Sequence, residues 1–194
     1  MNSFPYKKVV VVGTTSSGKS TLAEKLAGII GGDFIELDAL NWEPNWTPAG
    51  DELLRARAEK ATRSPCWVVA GNYSKTRPIT WPRAEAIIWL DYSLWVIFWR
   101  LTVRTFKRAI TQEELWNGNR ERFWWHLKLW SDESLFHWLF KTYWQRKREY
   151  PMLFAQPKYS HLKIIHFATP QEADAWLKQQ SRKQNTDCEK RRTE

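Results

Sequence analysis

The sequence predicts an α/β domain built on a doubly wound parallel sheet of five strands in the order 2-3-1-4-5. Two observations support this prediction. Short, almost wholly apolar runs are typical of strands buried on both faces, and segments with helical spacing of apolar residues lie between them. Strands that alternate with helices in this way favour parallel βαβ units. We place the five strands at residues 7–12, 34–37, 67–70, 86–90 and 163–167.

The helices are predicted between these strands and after the last one. Thr169 and Pro170 indicate the start of the final helix, as N-cap and first helical residue. The length of 194 residues fits one domain, which we place at residues 1–180. Residues 181–194 are polar, lack apolar periodicity and are predicted to form a disordered tail. The predicted helices cover residues 18–30, 50–62, 94–110 and 170–180, with a long composite helical region at 112–149.

Charge and cysteine content narrow the function classes. The formal net charge is +9, and between residues 100 and 148 eleven Lys and Arg stand against five Asp and Glu. This region is either a solvated basic face or a surface that meets phosphates. Two cysteines, Cys66 and Cys188, cannot form a disulfide framework, which fits a reducing cytosol. Asp91 interrupts the most apolar run and Arg100 ends it, so its uncharged stretches are too short to cross a bilayer. We therefore expect no membrane partner and, with the cysteine content, a cytoplasmic protein.

One loop carries a specific chemical signal. The stretch GTTSSGKS follows the first predicted strand, opens the first predicted helix and fits the pattern G-x-x-x-x-G-K-[ST]. Its glycines let the backbone curl so that N–H groups surround a phosphate, and the helix adds its positive end. The lysine reaches the β- and γ-phosphates and the following hydroxyl ligates Mg²⁺. We therefore predict an ATP and Mg²⁺ site made of Gly13, Thr14, Thr15, Ser16, Ser17, Gly18, Lys19, Ser20 and Thr21.

A carboxylate is the next part expected of a magnesium–nucleotide site, and two of them follow predicted strands. Asp38 follows the second strand, so it faces the crevice outside the carboxyl ends of the strands. There it could hold magnesium together with Ser20, accept a proton from a substrate hydroxyl, or only open a turn. Asp91 follows the fourth strand and precedes a helix, which favours a helix cap over a metal ligand.

With these motifs in place, the chain resembles a family. The stretches LDALNWEPNW, VVAGNYSKTRP, AIIWLD, ELWNGNRE and KIIHFATPQEADAWL are similar to those of adenylate-kinase-related P-loop proteins often labelled DNA topology modulation proteins. The wider relatives of that family are nucleoside monophosphate kinases, shikimate kinase and gluconate kinase. The resemblance covers residues 7–177. It implies a P-loop fold of the nucleoside monophosphate kinase type, with a Trp- and Arg-rich helical lid insert at residues 111–149.

The resemblance also implies a reaction, the transfer of the γ-phosphoryl group of ATP to a small acceptor. Gly118 is the expected hinge of the lid. Adenylate kinases carry Asp-Gly-Phe-Pro-Arg after the third strand, whereas this chain has Ala-Gly-Asn-Tyr, so AMP is not implied as the acceptor. The implied catalytic residues are Lys19, Asp38, Arg100, Arg104 and Arg120; Arg108 and Arg122 are further lid arginines; and the acceptor would lie near Asp38, Trp42, Trp46, Asn72 and Arg77.

Two alternatives stay open beside the small-molecule kinase. Basic residues interleaved with tryptophans suit a nucleic-acid surface, which binds through phosphate contacts and base stacking. The helical spacing of those tryptophans favours packing between helices instead. A chain with no carboxylate at the end of its third strand also fits an ATP-binding regulator that turns over slowly. The kinase is the interpretation that accounts for most of the motifs.

Overall fold

The computed structural model describes residues 4–111, 114–119 and 135–193. The sheet has five parallel strands in the order β2-β3-β1-β4-β5, which confirms the predicted doubly wound α/β fold and strand order. Three strands have the predicted bounds and two are displaced by one residue. The strands are β1 (Lys8–Gly13), β2 (Asp33–Glu36), β3 (Trp67–Ala70), β4 (Ala86–Leu90) and β5 (Lys163–Phe167).

Seven α-helices accompany the sheet in the described ranges. After β2, a two-residue antiparallel ladder joins Trp42–Glu43 to Thr47–Pro48, and we call residues 42–48 the hairpin. The helices are α1 (Lys19–Ile30), α2 (Leu37–Asn41), α3 (Asp51–Ala61), α4 (Arg77–Thr80), α5 (Leu94–Thr111), α6 (Leu135–Phe154) and α7 (Pro170–Thr193).

Helix α7 begins as predicted and ends later than predicted. The Glu172 N–H donates to Thr169 Oγ1 at 3.3 Å, and the Glu172 carboxylate accepts from the Thr169 N–H at 3.3 Å, which is a capping box. The helix continues to Thr193, whereas the sequence predicts an end at residue 180 and a tail at 181–194. Lys, Arg, Gln and Glu are good helix formers, so the helix extends without an apolar face to guide it.

The core lies on both faces of the sheet. Val9 and Val11 of β1 pack on the same side as Leu26 of α1, whereas Val10 and Val12 pack on the side of α3. All four valines are at most 1% exposed. This alternation explains why the strand is an unbroken apolar run, since each face is covered by helices.

The parallel register places the segments that carry the predicted site residues at one edge of the sheet. Gly13 pairs with Leu90, and Glu36 pairs with Ala70, so four neighbouring strands end side by side. The loop between β1 and α1, helix α2 and the segments after β3 and β4 therefore open on this edge. Ligands of open α/β sheets bind at such carboxyl ends.

The packing interpretation of the tryptophans is wrong for three of them. Trp95, Trp99 and Trp144 are 80%, 68% and 55% exposed. Helix α5 buries the face that carries Ile97 and Leu101, which turns Trp95 and Trp99 outward. The side chains of Trp124, Trp125, Trp130 and Trp138 lie outside the described part of the chain.

No helix within the described ranges is long and apolar enough to cross a bilayer.

Candidate active site

The loop between β1 and α1 needs glycine at two places. Gly13 has φ 155°, and a Cβ there would lie 2.7 Å from the carbonyl oxygen of Leu90. Gly18 has φ 91°, and its Cβ would lie 3.3 Å from Nη1 of Arg100. Both φ values lie where residues with a side chain are rarely found. The glycines of the predicted phosphate loop are thus required by its shape.

Asn72 holds the start of this loop in place. Its Oδ1 accepts from the Gly13 N–H at 3.1 Å, and its Nδ2 donates to the Gly13 carbonyl oxygen. The Tyr150 hydroxyl donates to the same Oδ1 at 2.9 Å. Burial raises the pKa of Tyr150 to about 12, so the hydroxyl stays protonated at neutral pH. Asn72, expected near the acceptor, contacts the backbone of the loop.

Lys19 lies among other cations. Its Nζ donates to the carbonyl oxygen of Thr14 at 2.9 Å. Burial and the positive charges of Arg146 and Arg104 together lower the pKa of Lys19 to about 7, against the carboxylate of Asp38, which raises it. The three cations repel one another, so a further anion among them would be favourable. A triphosphate would be such an anion.

The hydroxyl groups of the loop fit a phosphate ligand as well. Within the described residues, the buried Oγ atoms of Ser16 and Ser17 have no hydrogen-bond partner. Buried polar atoms are normally paired, so these two hydroxyl groups could bond to the oxygens of a ligand. Arg100 approaches from α5, where its Nη1 donates to the Ser17 carbonyl oxygen at 3.1 Å and its guanidinium lies 5.5 Å from the Tyr92 ring centroid.

A carboxylate that the sequence analysis missed contacts the end of the loop. The Ser20 hydroxyl donates to Glu36 Oε1, and the Trp116 indole N–H donates to Glu36 Oε2 at 2.7 Å. Glu36 is the last residue of β2, whereas the predicted strand ended one residue later and made Glu36 an internal position. The signal that could have found it is the pair of carboxylates, Glu36 and Asp38, around the end of an apolar strand.

Ser20 and Glu36 form a donor set that suits Mg²⁺. This cation is usually bound by one or two carboxylates, a hydroxyl and phosphate oxygens of the substrate rather than by an all-protein cage. Among the described residues, no group of three or more His, Cys, Asp or Glu could hold a metal by itself. The residues present therefore fit magnesium that arrives with a nucleotide.

Asp38 has a different partner from Glu36. It lies in the first turn of α2, and its Oδ1 accepts from the Tyr73 hydroxyl at 2.7 Å. Burial and the negative charge of Asp38 raise the pKa of Tyr73. The two carboxylates at the end of β2 thus contact different segments. Glu36 contacts the start of α1, and Asp38 contacts the segment after β3.

Two arginines interact with Glu149 and Tyr150 of α6. The Arg77 guanidinium is 3.1 Å from Glu149 Oε1 and lies 5.1 Å from the Trp81 ring centroid. Arg146 was missed by the sequence analysis, because the composite region 112–149 gave no helical phase. Burial lowers its pKa, and Tyr150 and Glu149 on the same face of α6 raise it.

The tryptophans predicted near the acceptor belong to an aromatic cluster. The ring centroids of Trp42 and Trp46 are 5.5 Å apart, and those of Trp46 and Trp116 are 6.4 Å apart, both edge-to-face. Trp116 comes from residues 114–119, which we call the insert segment. Asn119 of this segment accepts from the Trp46 N–H at 2.8 Å and donates to the Glu43 carbonyl oxygen at 2.9 Å.

Some predicted residues lie elsewhere. The Asp91 carboxylate is 3.3 Å from Lys147 Nζ and 3.3 Å from His166 Nε2, so it joins α6 to β5. These contacts replace the helix cap that the sequence favoured. Gly118 lies in a turn of the insert segment with φ 78°. The predicted lid arginines Arg120 and Arg122 lie outside the described residues.

No family model matches the chain, and no curated protein matches its sequence. Several solved structures do. A shikimate kinase from Bacteroides thetaiotaomicron matches with a TM-score of 0.53 at 15% identity, over 90% of this chain and 96% of that one. A gluconokinase from Sinorhizobium meliloti 1021 matches with a TM-score of 0.49 at 22% identity, over 94% of this chain and 91% of that one. A sugar kinase from Janibacter sp. HTCC2649 matches with a TM-score of 0.49 at 20% identity, over 94% of both chains.

The match to shikimate kinase extends over nearly the whole of both chains. At 15% identity it shows a shared fold and leaves the reaction open. The three similar structures give no support to the narrower resemblance to DNA topology modulation proteins. The chain has an α/β P-loop fold similar to that of shikimate kinase.

Proposed function

We propose that the chain is an ATP-dependent kinase that transfers the γ-phosphoryl group to a hydroxyl of a small acceptor. The observation that carries this proposal is that two carboxylates at one strand end have different partners. Glu36 contacts Ser20, the residue predicted to ligate the metal, whereas Asp38 contacts Tyr73. One carboxylate for the metal and one for the acceptor hydroxyl is what phosphoryl transfer requires.

The nucleotide would lie in the loop between β1 and α1. Ser16, Ser17 and the backbone N–H groups at the start of α1 supply donors to its phosphates. Lys19, Arg104 and Arg146 supply positive charge where negative charge develops on the transferred group.

Asp38 is the proposed base. Its Oδ1 is occupied by the Tyr73 hydroxyl, which leaves Oδ2 to accept the acceptor's hydroxyl proton. The acceptor oxygen forms a bond to the γ-phosphorus. The bond between that phosphorus and the β,γ-bridging oxygen breaks, and ADP leaves. Ser20 and Glu36 are the residues that would hold Mg²⁺, which neutralises charge on the β- and γ-phosphates when bound. The fold shared with shikimate kinase, named for a small acceptor, supports the same class of substrate.

The test uses γ-labelled ATP, Mg²⁺ and a pooled extract of small metabolites. We expect a labelled small molecule with the wild type and with Lys25→Ala, an exposed lysine on the same helix, and none with Lys19→Ala. Identifying the labelled compound names the acceptor. Transfer by Lys19→Ala at the wild-type rate, or nucleotide binding by the wild type with no labelled product, contradicts the proposal.

A further inference from the structure

The orientation of Glu36 depends on a residue far away in the sequence. One oxygen of its carboxylate accepts from Ser20, and the other accepts from the Trp116 indole at 2.7 Å. A carboxylate with one donor turns about its side-chain bonds, whereas two donors on opposite oxygens fix its plane. Trp116 is therefore what prevents Glu36 from turning away from Ser20.

Trp116 is itself held by an amide inside the insert segment. Asn119 is 3% exposed, and its Nδ2 donates to the carbonyl oxygens of Trp116 and Glu43, both at 2.9 Å. Its Oδ1 accepts from the Trp46 N–H at 2.8 Å. Two hydrogen bonds of this buried side chain thus fasten the insert segment to the hairpin, and the third, to the Trp116 carbonyl oxygen, sets the position of the indole.

We propose that Trp116 is a positioning residue for the metal-side carboxylate Glu36, and that Asn119 holds Trp116 in place. This proposal rests on the function proposed above. An indole N–H adds no charge, so it orients the carboxylate and leaves its negative charge for the cation. Loss of such an outer donor typically weakens metal binding by about 10- to 100-fold.

The arrangement also couples two parts of the molecule. Glu36 is oriented only while the insert segment lies on the hairpin, so metal binding at Glu36 and docking of the insert segment stabilise each other. The metal with its nucleotide should then strengthen the contact between Asn119 and Trp46, residues that touch neither ligand in the proposed function. Nucleotide without metal lacks this effect.

The first experiment measures Mn²⁺ binding by electron paramagnetic resonance in the presence of a non-hydrolysable ATP analogue. Trp116→Phe keeps an aromatic ring and removes the N–H, so we expect about 10-fold weaker Mn²⁺ binding with unchanged affinity for the analogue in the absence of metal. Asn119→Ala should weaken Mn²⁺ binding in the same direction. Trp95→Phe, at a residue 80% exposed, is the matched control and should bind Mn²⁺ like the wild type.

The second experiment needs no variant. Hydrogen exchange at the Trp46 amide, which donates to Asn119, should be slower with Mg²⁺ and the analogue than with the analogue alone. Mn²⁺ affinity of Trp116→Phe within about twofold of the wild type, or exchange that metal does not slow, overturns the positioning role. Failure of the wild type to bind Mn²⁺ with the analogue instead overturns the proposed function together with it.

Discussion

The Tyr73 hydroxyl donates a hydrogen bond to Asp38 Oδ1 at 2.7 Å, which joins the segment after β3 to helix α2. Burial and the charge of Asp38 raise the pKa of Tyr73, so the hydroxyl remains a donor throughout the physiological pH range. One oxygen of the proposed base is thus fixed and the other is available. The geometry of the proposed acceptor site depends on this pair.

Removing the donor should therefore weaken catalysis without removing the base. We expect Tyr73→Phe to lower turnover of the acceptor about 10-fold, since the carboxylate loses its orientation. Because the two residues act as a unit, Tyr73→Phe should have little further effect in an Asp38→Asn background. Steady-state kinetics of the double-mutant cycle measure this, with Tyr6→Phe as the control. Additive losses would show that Tyr73 acts independently of Asp38.

The lowered pKa of Lys19 predicts how stability changes with pH. The pKa is about 7 in the folded protein against 10.5 ordinarily, so the unfolded chain binds more protons between these values. The free energy of unfolding without ligand should therefore rise with pH above 7. Lys19 is half-buried, so we expect a rise of about 1 kcal/mol between pH 7 and 9, less than full linkage gives. Urea unfolding of the wild type and Lys19→Met measures it, and equal pH dependence in both contradicts the assignment.

Alanine substitutions at two glycines should change stability in opposite directions, because the backbone requires glycine at one position and not at the other. Gly13→Ala would place a methyl group 2.7 Å from the Leu90 carbonyl oxygen at φ 155°, so we expect a loss of about 2 kcal/mol in unfolding free energy and loss of nucleotide binding. Gly28→Ala, inside α1 with nothing within 4 Å of the new methyl group, should stabilise by about 0.5–1 kcal/mol. Thermal unfolding measures both. Tolerance of alanine at Gly13 would contradict the loop geometry.

Asp91 provides a test of which carboxylate serves the metal. Its contacts with Lys147 and His166 join α6 to β5, so Asp91→Asn should lower the unfolding free energy by about 1 kcal/mol. Mn²⁺ affinity with the ATP analogue should stay at the wild-type value. A marked loss of Mn²⁺ affinity would show instead that Asp91 serves the metal.

The sequence predicted the fold and the position of the glycine-containing loop between β1 and α1 because both depend on local patterns. Apolar runs specify the strands, and the spacing of Gly13, Gly18, Lys19 and Ser20 is itself the motif. Glu36 was missed because a one-residue shift in the end of β2 conceals which carboxylate reaches the sheet edge. Trp116 contacts Glu36 although the two are 80 positions apart in the chain, and no local sequence pattern relates residues that far apart.

In the proposed function, Glu36 serves the metal and Asp38 serves the acceptor. The most direct measurement compares Glu36→Gln and Asp38→Asn for Mn²⁺ affinity with the ATP analogue and for labelled product formed from γ-labelled ATP and the metabolite pool. We predict that Asp38→Asn keeps wild-type Mn²⁺ affinity and loses the product, whereas Glu36→Gln loses Mn²⁺ affinity by about 10-fold or more. Product formation by Asp38→Asn at the wild-type rate, or unchanged Mn²⁺ affinity in Glu36→Gln, would contradict the claim.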